Sequence, residues 1–126
     1  MSIGATHEFG WKNEEELKPR LEELFGEPLA KFNTRFATYD FETSDYLIEL
    51  KSRMPPVSED TYDTWMIPAC KFVRNDKQIA AFYFFEQTKS LYYIIYDEEQ
   101  FKSYKKIKNR NGQMTYHIPR SEWTKV

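Results

Sequence analysis

Tyr39-Asp-Phe-Glu-Thr-Ser-Asp-Tyr-Leu-Ile-Glu-Leu-Lys51 is the stretch on which the reading of this chain turns. Two β-prone arms, Thr38 to Thr43 and Tyr46 to Lys51, flank Ser44-Asp45. That polar pair suits a two-residue hairpin turn, because Asp tolerates positive φ better than most side chains. The register follows from the turn. Thr43 falls opposite Tyr46, Glu42 opposite Leu47, Phe41 opposite Ile48, Asp40 opposite Glu49 and Thr38 opposite Lys51. Directly opposed side chains share a face at roughly 5 Å, so Asp40 meets Glu49 and Lys51 lies two residues along. On the second arm Tyr46, Ile48 and Leu50 point one way and Leu47, Glu49 and Lys51 the other. Charged residues among the inward positions of a half-buried strand run against burial energetics, and such violations tend to mark sites.

Two carboxylates held together repel, and a divalent cation or a shared proton relieves the repulsion. Hard oxygen ligands with open positions suit Mg²⁺ or Mn²⁺, which polarise a phosphodiester and acidify water. Lys51 would orient that water or stabilise the charge that develops on the phosphoryl oxygens. The same spacing also fits an ordinary charged outer face of a hairpin.

Asp40, eight residues, then Glu49-Leu50-Lys51 resembles the signature of the PD-(D/E)XK nucleases, the restriction-endonuclease-like superfamily. The resemblance implies an α/β fold: an αβββαβ core, with a central mixed sheet flanked by helices and Asp and Glu-x-Lys on the second and third strands. It covers about residues 13–96 and leaves 97–126 as a C-terminal helix and strand extension. It departs from the pattern in having Tyr39 where Pro commonly stands. Asp40, Glu49 and the Leu50 carbonyl are implied as metal ligands, with Glu14 on the first helix as a further one. Lys51 is implied as the catalytic lysine, assisted by Lys71 from the helix after the third strand. The implied activity is Mg²⁺- or Mn²⁺-dependent hydrolysis of nucleic acid, DNA before RNA, by a homodimer. A nuclease fold acting as a non-catalytic binding or assembly module, and a phosphohydrolase using the same carboxylates, are the alternatives.

Outside this stretch, 126 residues make one domain with room for a core. Aromatic residues at 17% argue for packing rather than disorder. A single cysteine, Cys70, excludes an intramolecular disulfide. With no apolar run near the ~20 residues of a membrane span and no signal-peptide core, the expected setting is cytoplasmic or nuclear, not secreted. A net charge of −2 excludes a surface that binds nucleic acid throughout. A local basic rim remains compatible with it, and Lys102, Lys105, Lys106, Lys108 and Arg110 form the one basic cluster in the sequence.

Along the chain, residues 1–12 read as a weakly structured arm. Asn13 with Glu16 reads as a capping box opening a helix. Its stripe is Leu17, Leu21, Leu24 and Phe25, Pro19 is its awkward residue, Glu14 lies beside the stripe, and Gly26 ends it. Glu14 equally suits the favourable charge of a helix N-terminus. Lys31 to Thr38 reads as a first strand and Ser52 to Asp60 as a loop, in which Arg53 is placed to contact a phosphate or simply to be solvated. Pro68 to Asn75 reads as a short helix carrying Lys71. Gln78 to Glu86 and Ser90 to Tyr96 are continuous apolar strands of a sheet centre. Asp97 caps a helix from Glu98 to Lys106, Asn111-Gly112 is a turn, and Gln113 to Ile118 is a last strand.

Overall fold

Strand alternation divides the chain into three layers. In the computed structural model, which describes the backbone of residues 3–31, 39–73 and 76–126 and the side chains of 13–30, 39–73 and 76–126, a helix α1 (Ile3–Phe25) lies first. Behind it is a six-stranded mixed sheet in the order β1 (Ala30–Lys31), β2 (Phe41–Glu42), β3 (Tyr46–Arg53), β5 (Gln78–Phe85), β6 (Ser90–Ile95) and β9 (Thr124–Lys125). On its far side, where the expectation of a sheet flanked by helices is corrected, is a three-stranded sheet of β4 (Thr64–Pro68), β8 (Met114–Pro119) and β7 (Lys105–Lys108). A second, short helix α2 (Glu98–Phe101) and two 3₁₀ turns, Ala69–Lys71 and Arg120–Glu122, complete the described elements. No helix among the described residues is long and apolar enough to cross a membrane.

The large sheet has two faces because its strands have period two. Ile48 and Leu50 of β3, with Ala80, Phe82 and Phe84 of β5, join Leu17, Leu21 and Phe41 in a core under α1. Leu47, Ile79, Ala81, Tyr83 and Phe85 point the other way and pack with Trp65, Ile67, Tyr116, Ile118 and Trp123. Seven consecutive residues of β5, from Ile79 to Phe85, are buried, as expected of a strand covered on both faces. Trp65 anchors the second core, with ring centroids 4.8 Å from Phe85, 4.9 Å from Tyr92 and 5.4 Å from Tyr83.

β2 and β3 form the expected hairpin, with Phe41 paired to Ile48 and Glu42 to Leu47. Thr43 N–H donates to Tyr46 C=O across the Ser44-Asp45 turn at 2.9 Å, and Thr43 Oγ1 accepts from Tyr46 N–H at 3.0 Å. Glu27 Oε1 also accepts from Ser44 N–H and Oγ–H, fixing the turn to the chain after α1. β3 runs parallel to β5, from Tyr46 beside Gln78 to Arg53 beside Phe85. The crossover between them passes through β4 and the Ala69–Lys71 turn.

Several local expectations are corrected. The helix begins at Ile3, so the segment read as an arm is its first three turns and Asn13 is an interior residue, 1% exposed, rather than a cap. Asn13, Leu17 and Leu21 form the buried stripe, whereas Leu24 is 47% exposed. Pro19 is tolerated inside the helix because it stands on the exposed side, where the carbonyl it deprives of a donor is open to water. Gly26, with φ 72°, terminates the helix. β1 starts at Ala30, and the rest of the strand read over Lys31 to Thr38 lies outside the described residues, as does the Thr38 pairing. Of the helix expected over Pro68 to Asn75, the described residues form only a single 3₁₀ turn, because Phe72 turns to φ −107°, ψ 82° and buries its ring against Phe101 and Tyr96, while residues 74 and 75 lie outside the described ones. The helix expected from Glu98 to Lys106 stops at Phe101, and Lys105 to Lys108 pair with β8 as β7. The loop read from Ser52 begins two residues later, since β3 continues to Arg53.

Candidate functional site

The hairpin and the crossover bring together four of the five side chains singled out for chemistry. β3 presents Glu49, Lys51 and Arg53 at successive outward positions on the face away from α1, at a rise of about 3.3 Å per residue. Asp40 immediately precedes β2. Its N–H donates to Ile48 C=O at 2.9 Å, and its Oδ2 accepts from Leu50 N–H at 2.7 Å. A regular antiparallel ladder would leave residue 40 opposite 49 with its N–H turned away from β3. The bond to Ile48 therefore marks a local departure from the register, which lets the carboxylate fold back onto the edge of β3.

Lys71 arrives from the crossover, at the end of the 3₁₀ turn rather than on a helix, with Nζ 3.3 Å from Glu49 Oε2. Tyr39 sets that position, because its hydroxyl donates to the Lys71 carbonyl at 2.7 Å and its ring centroid is 6.0 Å from Lys71 Nζ. Tyr39 is a site residue that sequence reasoning passed over, having treated it only as the replacement for a Pro. Burial pushes its own hydroxyl pKa up, with smaller contributions from the charges of Glu49 and Cys70.

Glu49 is the most perturbed carboxylate of the cluster. Its side chain is 14% exposed, and its pKa is pushed up to about 8. Loss of solvent is the largest cause, and the neighbouring Asp40 charge, which lies within hydrogen-bonding reach, is the second; Lys71 pulls in the opposite direction. Glu49 Oε2 is buried, and its charged partner is Lys71 Nζ at 3.3 Å. Lys51 is shifted downward, first by burial and then by repulsion from Arg53, with Glu49 partly offsetting both.

Two carboxylates converge, with Lys71 as the counter-charge of one of them. Paired hard oxygen donors are of the type that a small hard cation takes. The Leu50 carbonyl is the third donor implied by the sequence pattern. No group of three or more His, Cys, Asp or Glu gathers among the described residues. Such a short protein-donor set suits Mg²⁺ or Mn²⁺, since Mg²⁺ binds through one or two carboxylates and keeps several waters.

The remaining candidate, Glu14, is half-buried on α1, the element that covers the Ile48 and Leu50 face rather than the Glu49 face. Of the basic cluster, Lys105, Lys106 and Lys108 are exposed on β7, an edge strand of the small sheet. His117, on β8, shares a 3.3 Å hydrogen bond with Thr115 Oγ1. Compared with known proteins, the chain matches no family model and no curated sequence.

Proposed function

We propose that the chain is a nuclease that hydrolyses phosphodiester bonds of nucleic acid, DNA before RNA, with Mg²⁺ or Mn²⁺ held by Asp40, Glu49 and the Leu50 carbonyl. The observation that carries this reading is the convergence of Asp40, Glu49, Lys51 and Lys71 around one largely buried carboxylate. What the cation supplies when bound is positive charge that acidifies water and offsets the charge of the phosphate. Asp40 contributes a carboxylate already oriented by Leu50 N–H. Lys71 holds Glu49 in place, and Tyr39 holds Lys71. Lys51, two positions along the same strand face, orients the attacking water and places an ammonium beside the developing phosphoryl charge. Its lowered pKa lets it exchange a proton more readily than a surface lysine does.

The order of elements supports a restriction-endonuclease-like core. A helix precedes three antiparallel strands, and the strand after the crossover lies parallel to the third. In this reading the second core helix is reduced to the Ala69–Lys71 turn, and Lys71 still reaches the site.

The test is relaxation of a supercoiled plasmid in Mn²⁺. Wild type nicks the plasmid, and Lys51→Ala, Glu49→Gln and Asp40→Asn each lose on the order of 10²-fold or more in rate. Nicking at the wild-type rate in Lys51→Ala and Asp40→Asn rules out the assignment.

A second reading is favoured by one specific observation, the internal Lys71–Glu49 pair, which gives Glu49 a counter-charge from within the chain. In that reading the fold is a non-catalytic nucleic-acid-binding or assembly module. Thermal unfolding with and without Mn²⁺ separates the two, because a ligand that binds only the folded state raises its stability. The nuclease reading requires stabilisation that Glu49→Gln abolishes.

A further inference from the structure

Beyond the Glu49 cluster, the outward face of β3 ends at Arg53, and there a cavity of about 180 Å³ opens beside β4. Its walls include Arg53, Tyr62, Trp65, Tyr83 and Phe85. Two features distinguish it from a packing gap. First, its floor is the buried aromatic cluster of Trp65, Tyr83 and Phe85, while the Tyr62 ring on its wall is 51% exposed. Second, a cation stands at its rim. The Arg53 guanidinium is 5.8 Å from the Tyr62 ring centroid and also reaches the Tyr83 hydroxyl. Tyr62 is 51% exposed and Met66 40% exposed, so the cavity opens to solvent rather than being sealed.

We propose that this cavity is a nucleobase subsite, which takes an unstacked base of a single-stranded segment of the substrate while Lys51 and Arg53 hold the backbone on either side. An apolar cavity of about 150 Å³ accommodates a benzene ring, so this volume admits a pyrimidine, or a purine that projects from the open side. The exposed Tyr62 ring can stack on any base through its π face, and an arginine at the rim adds a cation–π or phosphate contact. Position supports the same occupant. Glu49, Lys51 and Arg53 occupy alternate positions of one strand, so the cavity lies about four residues, or roughly 13 Å, along β3 from the candidate metal ligand. That distance is within reach of a nucleotide next to the scissile phosphate. The inference rests on the nuclease reading only for the placement of the strand. Single-strand character at the cleavage site is what it adds, and it would direct the protein to ends, flaps or junctions rather than continuous duplex.

The test uses Glu49→Gln protein in EDTA, so that binding is measured without cleavage. Two labelled oligonucleotides are titrated by fluorescence anisotropy: a 20-residue oligothymidine and the same length of abasic deoxyribose phosphate. The base subsite predicts that the abasic strand binds at least about tenfold more weakly, as expected when a base–aromatic stack is lost. It also predicts that Tyr62→Ala, at an exposed position, removes most of that difference, that Tyr62→Phe keeps it, and that both variants melt like wild type. Equal affinity for the two strands overturns the subsite, as does binding of neither. Plasmid nicking by wild type in Mn²⁺ is scored separately. Nicking without base discrimination sinks the subsite alone, whereas base discrimination without nicking sinks the nuclease and leaves the subsite standing.

Discussion

Replacing Glu49 by Gln should make the protein more stable at high pH and leave it almost unchanged at low pH. Glu49 has a folded pKa of about 8 against an ordinary value of 4.5. Folding therefore takes up a proton between those values, so the stability contributed by the neutral carboxyl is complete below about pH 4.5 and is lost as pH rises through about 8. The difference, about 3.5 pH units at ~1.4 kcal/mol each, sets an upper limit of about 5 kcal/mol. Relaxation of Lys71 toward the ionised carboxylate reduces this, and about 2–3 kcal/mol is the working expectation. At roughly 4 °C per kcal/mol for a domain of this size, Glu49→Gln should melt about 8–12 °C above wild type at pH 9 in EDTA and close to it at pH 4.5. Lys51 titrates in both proteins, but only in wild type does the Glu49 charge favour its ammonium, which offsets part of the difference at high pH. Adding Mn²⁺ at pH 9 should reverse the order, because the ionised carboxylate then gains a ligand that Gln cannot hold. Melting curves separated by the same interval at every pH would falsify the desolvated-carboxylate argument. An Mn²⁺-insensitive wild type would remove the metal.

Asp40→Ala should cost about 1.5–3 kcal/mol in urea unfolding at pH 7, since the Leu50 N–H loses a charged acceptor. It should also lower the pH at which Glu49 titrates, observable by carboxyl NMR, because the like charge beside it is gone. Asp40→Asn should retain most of the stability while losing Mn²⁺ stabilisation, a combination that separates the structural role from ligation. Leu21→Ala, at a fully buried position on the inner face of α1, should destabilise by about 2–5 kcal/mol and leave Mn²⁺ binding intact, checked by the same denaturation with and without the ion.

The hairpin and the two central strands were legible because their signals are local. Ser44-Asp45 fixes a register within thirteen residues, and the apolar run of β5 declares a strand covered on both faces. What was hidden depended on partners far along the chain. The small sheet pairs Trp65 with Ile118 and Ile107 with Thr115, and no local period in Lys105-Lys-Ile-Lys108 betrays a strand rather than a basic helix end. Asn13 was misread for a related reason. A polar residue before an apolar stripe looks like a cap, and only tertiary burial reveals it as an interior position. Lys71 lies beside Glu49 although the helix expected to carry it is only a single 3₁₀ turn, because the crossover that returns the chain from β3 to β5 brings it there.

The period of β3 separates stability from chemistry residue by residue. Ile48 and Leu50 go into the core beneath α1, whereas Glu49, Lys51 and Arg53 stand on the other face. The Leu50 amide and the Ile48 carbonyl are where the two sides meet, because the first donates to Asp40 Oδ2 and the second accepts from Asp40 N–H while both side chains pack inward. Cavity-forming substitutions at 48 and 50 should therefore lower stability and, through a shift of these two backbone groups, disturb the carboxylate pair. Substitutions at 49, 51 and 53 should change charge, pH response and binding with little cost to the core. A one-residue slip of the strand would exchange these roles and place two charges under the helix, a burial penalty that the neighbouring apolar residues could not offset. The charged residues thus help fix the register on which their own juxtaposition depends.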